Sequence, residues 1–302
     1  MFYEVRRLRL LRELAAYGTI AATAQACSLT PSAVSQQLSL LEREAGTPLL
    51  VRDGRRVVLT EAARVLVAST ERVLEELERA RAEVSALREG VRGTVRLSSF
   101  PSAAVALAAP AIAACRAAHP DLRVQLDERE PEESLRGLRQ HTCDVALVYE
   151  YNLLPRLPDE GVLLQRLLEE PLMAALPPGH ERLGDSPLAL ADLADEPWIA
   201  PRSDDALRTV LERACQQAGF EPRLDYASDD FTVIMSLVEA GLGVSLVPRL
   251  VAEPLSTDVP LCEVAGLRLT RRISVAARAG AARDPAVAAV TAALRDAVRP
   301  PI

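Results

Sequence analysis

No proline occurs between Pro48 and Pro101, and no glycine occurs between Gly54 and Gly90. A stretch so free of backbone breakers permits one long helix, which must separate whatever precedes it from whatever follows. Thr60 is placed as its N-cap, Glu61 suits the positive end of the dipole, and Gly90 stands where the helix would end. Leu59, Ala63, Leu66, Thr70, Val73, Leu77, Ala80, Val84 and Leu87 alternate spacings of four and three, a heptad seam. An amphipathic helix packed on its own domain would carry a similar stripe. The length over which the period holds predicts instead a seam paired with a second chain. Over residues 60–89 such a helix reaches about 45 Å.

The charge is divided at the same place. Residues 1–59 hold eight Arg against five acids, whereas residues 60–302 hold 27 Arg against 37 acids. A basic head on an acidic body implies that the head alone meets a polyanion. Every basic residue is Arg, which excludes Schiff-base, pyridoxal-lysine and phosphate-loop lysine chemistry. Cys27, Cys115, Cys143, Cys215 and Cys262 stand apart with no CxxC, and His119, His141 and His180 are scattered, so no metal site, cofactor or disulfide framework is expected. Arg6, Arg7, Arg9 and Arg12 interrupt the N-terminal leucines, and the apolar run over residues 103–115 is too short to span a bilayer. These features predict a soluble, cytoplasmic chain with no membrane partner and no enzymatic centre.

The head reads as three short helices, Val5–Tyr17, Ile20–Ala26 and Pro31–Ala45, with the turn Cys27-Ser28-Leu29 before the third. Thr30 is its N-cap and Pro31 takes the first helical position. Short helix, tight turn and longer helix make a helix-turn-helix. Val34, Leu38 and Leu41 form the core stripe of the third helix, and Ser32, Ser35, Gln36, Ser39 and Arg43 face the other way. The same pattern would suit an ordinary solvated face, but the following VRDGRRVVL adds a hairpin signal at Asp53-Gly54 flanked by Arg52, Arg55 and Arg56, a basic wing. Short side chains and free amides at a helix N-terminus allow close approach to DNA, and Gln36 or Gln37 can offer a paired donor and acceptor to adenine. The expected DNA-contacting set is therefore Thr30, Pro31, Ser32, Ser35, Gln36, Gln37, Arg43, Arg52, Arg55 and Arg56.

After Gly93 strand-like and helical runs alternate: TVRLSSF, a helix over residues 101–118, LRVQLDE, EESLRGLRQ and CDVALVY, a βαβαβ unit with a parallel sheet. A second unit follows, with strands over 171–176, 198–200 and 223–227, helices over 204–218 and 231–240, and strand VSLV before Pro248. A strand over 272–277 and a helix over 285–298 return to the first unit. The expectation is two α/β lobes.

The run TAQACSLTPSAVSQQLSLLEREAGTPLLVRDGRRVVLTEAA resembles the N-terminal winged helix-turn-helix of LysR-type transcriptional regulators, and AHPDLRVQL, CDVALVYE, EEPLMAALPPGH, LADLADEPWIAP and LVEAGLGVSLVPRL extend the resemblance over essentially the whole chain. Gln36 stands where many members carry Arg, Leu50 where Phe is usual and Ala63 where Gly often follows the wing. The resemblance implies a winged helix-turn-helix domain (1–59), a dimerising linker helix (60–90) and a two-lobed α/β effector domain (91–302) similar to periplasmic binding proteins. Lobe one is expected over 91–160 and 267–302 and lobe two over 161–266. It implies a homodimer or homotetramer that binds double-stranded promoter DNA and responds to a small-molecule effector. The lobes alone would also suit a cytoplasmic solute-binding module.

In open α/β lobes ligands gather at strand carboxyl ends and helix N-termini. Ser99, Phe100, Pro101 and Ser102 form one such junction, and Arg202 and Ser203 form another, where Arg202 can clamp an anionic group. Tyr149, Asp229 and Phe231 lie at further strand and helix ends. This set predicts an anionic or zwitterionic effector. Glu128 and Glu130 are read as a solvated face, and the glycines of Gly241-Leu242-Gly243 as a turn.

Overall fold

Three threonines start helices in the first part of the chain. The computed structural model describes residues 3–53, 56–87, 90–157, 161–184, 187–202, 205–251 and 258–298. These form two compact units, Met1–Glu89 with Arg278–Pro285 and Gly90–Ala277 with Ala286–Ile302. The first unit runs α1 (Val5–Tyr17), α2 (Ile20–Ala26), α3 (Pro31–Ala45), β1 (Leu50–Asp53), β2 (Arg56–Leu59) and α4 (Glu61–Ala86). The hydroxyls of Thr19, Thr30 and Thr60 accept the amides of Ala22, Ala33 and Ala63, each at 3.2 Å, satisfying a donor that each helix start leaves open. Each cap is worth about 1 kcal/mol. Between α2 and α3, Ser28 takes a left-handed φ of 54°, which delivers the Leu29 amide to the Ala24 carbonyl at 2.8 Å. Leu11, Val34 and Leu41 close the core of the three helices with no exposed surface.

Helix α4 ends earlier than Gly90. Leu87 caps it, its amide bonding back to Val84 and Ser85 in a tightened last turn, and Arg88 and Glu89 lie outside the described residues. The heptad seam divides along this helix. Ala63 and Thr70 are buried and Leu66 packs on the core of the three helices, whereas Val73, Leu77, Val84 and Leu87 are 41%, 51%, 59% and 86% exposed. Within this unit Arg278 Nε donates to Glu78 Oε1 at 2.7 Å.

The second unit is α/β. In chain order it contains β3 (Gly93–Ser99), α5 (Pro101–Ala103), a π-helical turn (Ala104–Ala108), α6 (Ala109–Ala118), β4 (Leu122–Glu128), α7 (Pro131–Arg139) and β5 (Val145–Tyr151). Next come β6 (Val162–Ala175), β7 (Leu188–Ala189), β8 (Pro197–Ala200), α8 (Ala206–Gln217), β9 (Arg223–Ala227), α9 (Phe231–Glu239) and β10 (Ser245–Pro248). β11 (Leu261–Ala265), β12 (Thr270–Arg278) and α10 (Pro285–Asp296) complete it, apart from Arg278 and Pro285, which group with the first unit. β3 lies parallel to β4 and β5, and β12 returns antiparallel to β5 with Ser274 opposite Val148. The sheet continues through β6, β11 and β7, with β10 also on β6. β8 and β9 form a separate parallel pair, tied to the start of β10 through a bridge between Trp198 and Val244. Gly243 makes that approach possible, because a Cβ there would lie 2.4 Å from the Pro197 carbonyl oxygen.

The segment Pro101–Ala118 is long and apolar enough to cross a membrane by length and composition. Here Ala103, Leu107, Ala111 and Cys115 turn inward and join Leu97, Val145 and Ile273 in a core. Helices cover both faces: Leu135 and Leu138 of α7 pack on the side opposite α6, and α8 and α9 contribute to separate cores. β6 is longer than the six-residue strand read from the sequence, and it feeds all four cores, through Val162 and Leu164, Leu167 and Leu168, Leu172 and Ala174, and Ala175.

Candidate nucleic-acid interface and ligand cleft

On α3, Ser32, Gln36, Ser39 and Arg43 are exposed at spacings of four, three and four, one stripe opposite Val34, Leu38 and Leu41. Thr30 and Pro31 stand exposed at its start, and the hydroxyls of Thr30 and Ser32 lie 3.0 Å apart. Ser35 is half-buried at the margin. Gln37 is turned the other way, its Oε1 accepting from Arg7 Nε of α1 at 3.1 Å. It braces the helix instead of joining the stripe. Both acids of α3 are also occupied inward: Glu42 Oε1 accepts the amides of Leu49 and Leu50 at 2.9 and 3.0 Å, and Glu44 pairs with Arg7. The exposed stripe therefore presents hydroxyl, amide and guanidinium groups with no carboxylate, the polarity that suits phosphate and base edges.

The wing backbone is a hairpin in which Arg52 opposes Val57 and Asp53 opposes Arg56. Arg55 and the side chains of Arg52 and Arg56 lie outside the described residues.

In the second unit a cavity of about 230 Å³ is lined by Phe100, Pro101, Ser102, Glu130, Tyr149, Pro201, Asp205, Asp229, Phe231 and Arg271. Six of the nine residues expected from the sequence meet there. Three do not. Ser99 is fully buried and its hydroxyl bonds to the Phe100 carbonyl, Arg202 is outside the lining with its side chain 72% exposed, and Ser203 lies outside the described residues. Arg202 instead serves Asp229, its amide donating to Oδ1 at 2.9 Å and its Nε lying 3.3 Å from Oδ2.

The cation of the cleft is Arg271, which sequence reasoning missed. Its guanidinium is 1% exposed, donates to Glu170 Oε1 at 2.8 Å through Nε and to Ser102 Oγ at 3.1 Å through Nη2, and sits 5.2 and 5.4 Å from the Phe100 and Tyr149 ring centres. Glu170 Oε2 also accepts the Leu250 amide at 2.6 Å. Burial works against the Arg271 charge, but the Glu170 carboxylate, through its charge and its hydrogen bond, strengthens its hold on the proton. Strand alternation alone could not have said which of Arg271 and Arg272 turns inward.

Glu130, read from the sequence as solvated, is part of the cleft wall. Its position just before α7 brings Oε2 to the Tyr149 hydroxyl, which donates to it at 2.8 Å. Burial raises the Glu130 pKa above the usual carboxylate range, and Asp205 and Glu128 add to this against the opposing Tyr149 hydrogen bond and Arg271 charge. Tyr149 is raised by burial and by its acidic neighbours, and it keeps its proton. Asp205 caps α8, its Oδ1 accepting the Leu207 amide at 2.6 Å. Among the described residues no group of His, Cys, Asp and Glu could hold a metal ion, and none of the five cysteines is in a disulfide.

The model of the LysR substrate binding domain matches residues 88–299, and that of the bacterial regulatory helix-turn-helix protein, lysR family, matches residues 5–64. The chain is 28% identical over 267 residues to the HTH-type transcriptional regulator TtuA of Agrobacterium vitis, covering 87% of this chain and 86% of that one. It is 29% identical over 266 residues to a probable hydrogen peroxide-inducible genes activator of Mycobacterium avium, covering 86% and 83%. Among solved structures, a full-length OxyR variant from Pseudomonas aeruginosa shares the fold with a TM-score of 0.67 at 20% identity, covering 97% of this chain and 98% of that one. Full-length CbnR complexed with its target DNA does so with a TM-score of 0.56 at 24% identity, covering 98% and 100%.

Proposed function

The chain belongs to the LysR family of bacterial transcriptional regulators, and from that premise we propose how its parts divide the work. It is a DNA-binding regulator with an effector-binding domain, and the helix-turn-helix match favours this over a solute-binding module. We infer that residues 1–59 read promoter DNA, residues 60–90 join two copies, and residues 91–302 bind a small molecule in the cleft, all in the cytoplasm and without a catalytic step. Relatives matched over most of the chain are transcriptional regulators.

The observation that carries the DNA-reading proposal is the acid-free stripe of Ser32, Gln36, Ser39 and Arg43. Thr30, Pro31 and Ser35 stand close to phosphate in this reading, Gln36 reads a base, and Arg52, Arg55 and Arg56 of the wing touch backbone or minor groove. Gln37 acts from behind as a brace. A gel-shift titration on the DNA upstream of the chain's own gene tests this. Affinity should fall steeply with salt as counterions are released, and joint replacement of Arg55 and Arg56 by Ala should weaken binding to all sequences alike. Affinity independent of salt would defeat it.

The exposure of Val73, Leu77, Val84 and Leu87 supports pairing through the second half of α4. The convergence of six sequence-expected residues on one cavity supports the effector assignment.

A further inference from the structure

We propose that β12 is the connecting rod between the ligand cleft and α4, with Arg271 as its sensing end and Arg278 and Gly280 as the joint that seats its exit on the helix. This rests on the reading of the cleft as the effector site and names the route by which occupancy of that site reaches α4.

The first observation is where the ends of the strand lie. Residues 270–277 belong to the second unit, and Arg278 with the turn up to Pro285 belongs to the first. Arg271 lines the cavity and donates through Nη2 to Ser102 Oγ, another lining residue, at 3.1 Å. Glu170 holds the same guanidinium and also takes the Leu250 amide. At the other end, about 24 Å along an extended chain, Arg278 Nε donates to Glu78 Oε1 at 2.7 Å. Those two side chains are only 10% and 18% exposed.

The second observation is the fit of the exit turn on the helix. A Cβ on Gly280 would lie 2.5 Å from the Glu75 carbonyl oxygen and 2.9 Å from Glu78 Cβ, so the turn backbone rests directly on α4. The turn is itself tied, the Ala281 amide donating to the Arg278 carbonyl at 3.1 Å and the Asp284 amide to the Ala281 carbonyl at 2.9 Å. By helical spacing Glu75 and Glu78 face away from Val73, Leu77 and Val84. The turn therefore leaves the exposed seam uncovered.

The third is the stiffness of what lies between. The register of β12 on β5 runs unbroken from Arg271 opposite Tyr151 to Ala277 opposite Val145, and Ile273, Val275 and Ala276 are buried. A strand packed in this way shifts as a unit and transmits strain. A ligand that draws on the Ser102 hydroxyl changes the hold on Arg271, and a displacement of that end reappears at Arg278. Occupied and empty clefts then favour different settings of the turn on α4.

Hydrogen exchange read by mass spectrometry on the full chain tests the link without a ligand. Ser102→Ala takes one bond from Arg271 and should speed exchange over residues 74–82 of α4 by roughly fivefold, the low end of coupling between separate sites, while residues 8–14 of α1 keep their rate. In a chain carrying Glu78→Ala and Gly280→Ala, which removes the ion pair and lifts the turn, the same replacement should add nothing. Glu78→Ala alone keeps the turn seated and should show a partial loss. Coupling is reciprocal, so the Glu78→Ala, Gly280→Ala chain should itself exchange faster over residues 246–251, where Glu170 holds the Leu250 amide. Unchanged α4 exchange in Ser102→Ala overturns the link, as does an equal rise in α1 or an effect undiminished when the joint is broken. A reporter gene behind the chain's own upstream DNA separates this from the cleft reading, because Phe231→Leu alters a wall residue of α9 and leaves β12 alone. A failed link with reporter output still shifted by Phe231→Leu leaves the cleft as the effector site. Output indifferent to both Phe231→Leu and Ser102→Ala overturns the cleft reading and the proposal with it.

Discussion

Arg7 Nε donates to Gln37 Oε1 at 3.1 Å, so the two adjacent glutamines of α3 face opposite ways. Gln36 faces outward and Gln37 ties α3 to α1. Gln36→Ala should relax discrimination at one base pair, by about 1–3 kcal/mol, without changing stability. Gln37→Ala should lower stability by about 1 kcal/mol and weaken binding to every operator variant alike. Competition gel shifts across single-base operator variants separate the two patterns; identical profiles would refute the division.

The exposed half of the seam should hold the oligomer. Val73 and Leu77 are 41% and 51% exposed in the single chain, so Val73→Asp with Leu77→Asp leaves the fold of each copy intact. Pairing would bury two unmatched charges. Sedimentation should show monomers with an unchanged circular dichroism spectrum, and DNA affinity should drop roughly tenfold or more as bivalent binding is lost. An unchanged oligomer would show that α4 pairs elsewhere.

Arg271 and Glu170 should be costly to separate. Both are under a tenth exposed, so Glu170→Gln strands a buried guanidinium and should cost about 3–5 kcal/mol. Arg271→Met together with Glu170→Gln removes both charges and should recover much of that loss. Urea denaturation of the three variants provides the comparison. A double variant no better than the worse single would mean that packing on Phe100 and Tyr149, and not charge pairing, governs the site.

Glu130 should make stability depend on pH. Its folded pKa is raised by burial, with Asp205 and Glu128 reinforcing the shift and Tyr149 and Arg271 opposing it. The protonated form is therefore favoured by folding: its stabilising contribution is complete below the unfolded carboxylate pKa and is lost as pH rises through the folded value. Glu130→Gln removes that loss. Its unfolding midpoint relative to wild type should rise between mild acid and neutral pH, and a difference constant with pH would contradict the assignment.

The head of this protein was legible because its signals are local. Thr30, Pro31, the Val34-Leu38-Leu41 stripe and the breaker-free α4 all act within a turn or two of themselves. Gln37 is the exception, since its role depends on Arg7, thirty residues away. The cleft is less legible for the same reason. Junction residues such as Phe100, Ser102 and Phe231 are marked by their place at helix starts, but Arg271 and Glu170 meet only because β12 and β6 run side by side. Arg202 looked like the clamp because nothing in sequence shows that Asp229 takes it. β7 and β11 are too short and too mixed in pattern to stand out, and β11 becomes a strand through its pairing with Met173, Ala174 and Ala175 of β6.

Because β6 supplies side chains to four separate cores, neither lobe of the effector domain is a portable module. Cutting or recombining the gene near residue 161 would strip one lobe of a strand that the other also uses. Chimeras meant to graft a new ligand response onto this DNA-reading head should therefore exchange the whole domain as a unit, and descent of this architecture should favour the same all-or-nothing inheritance.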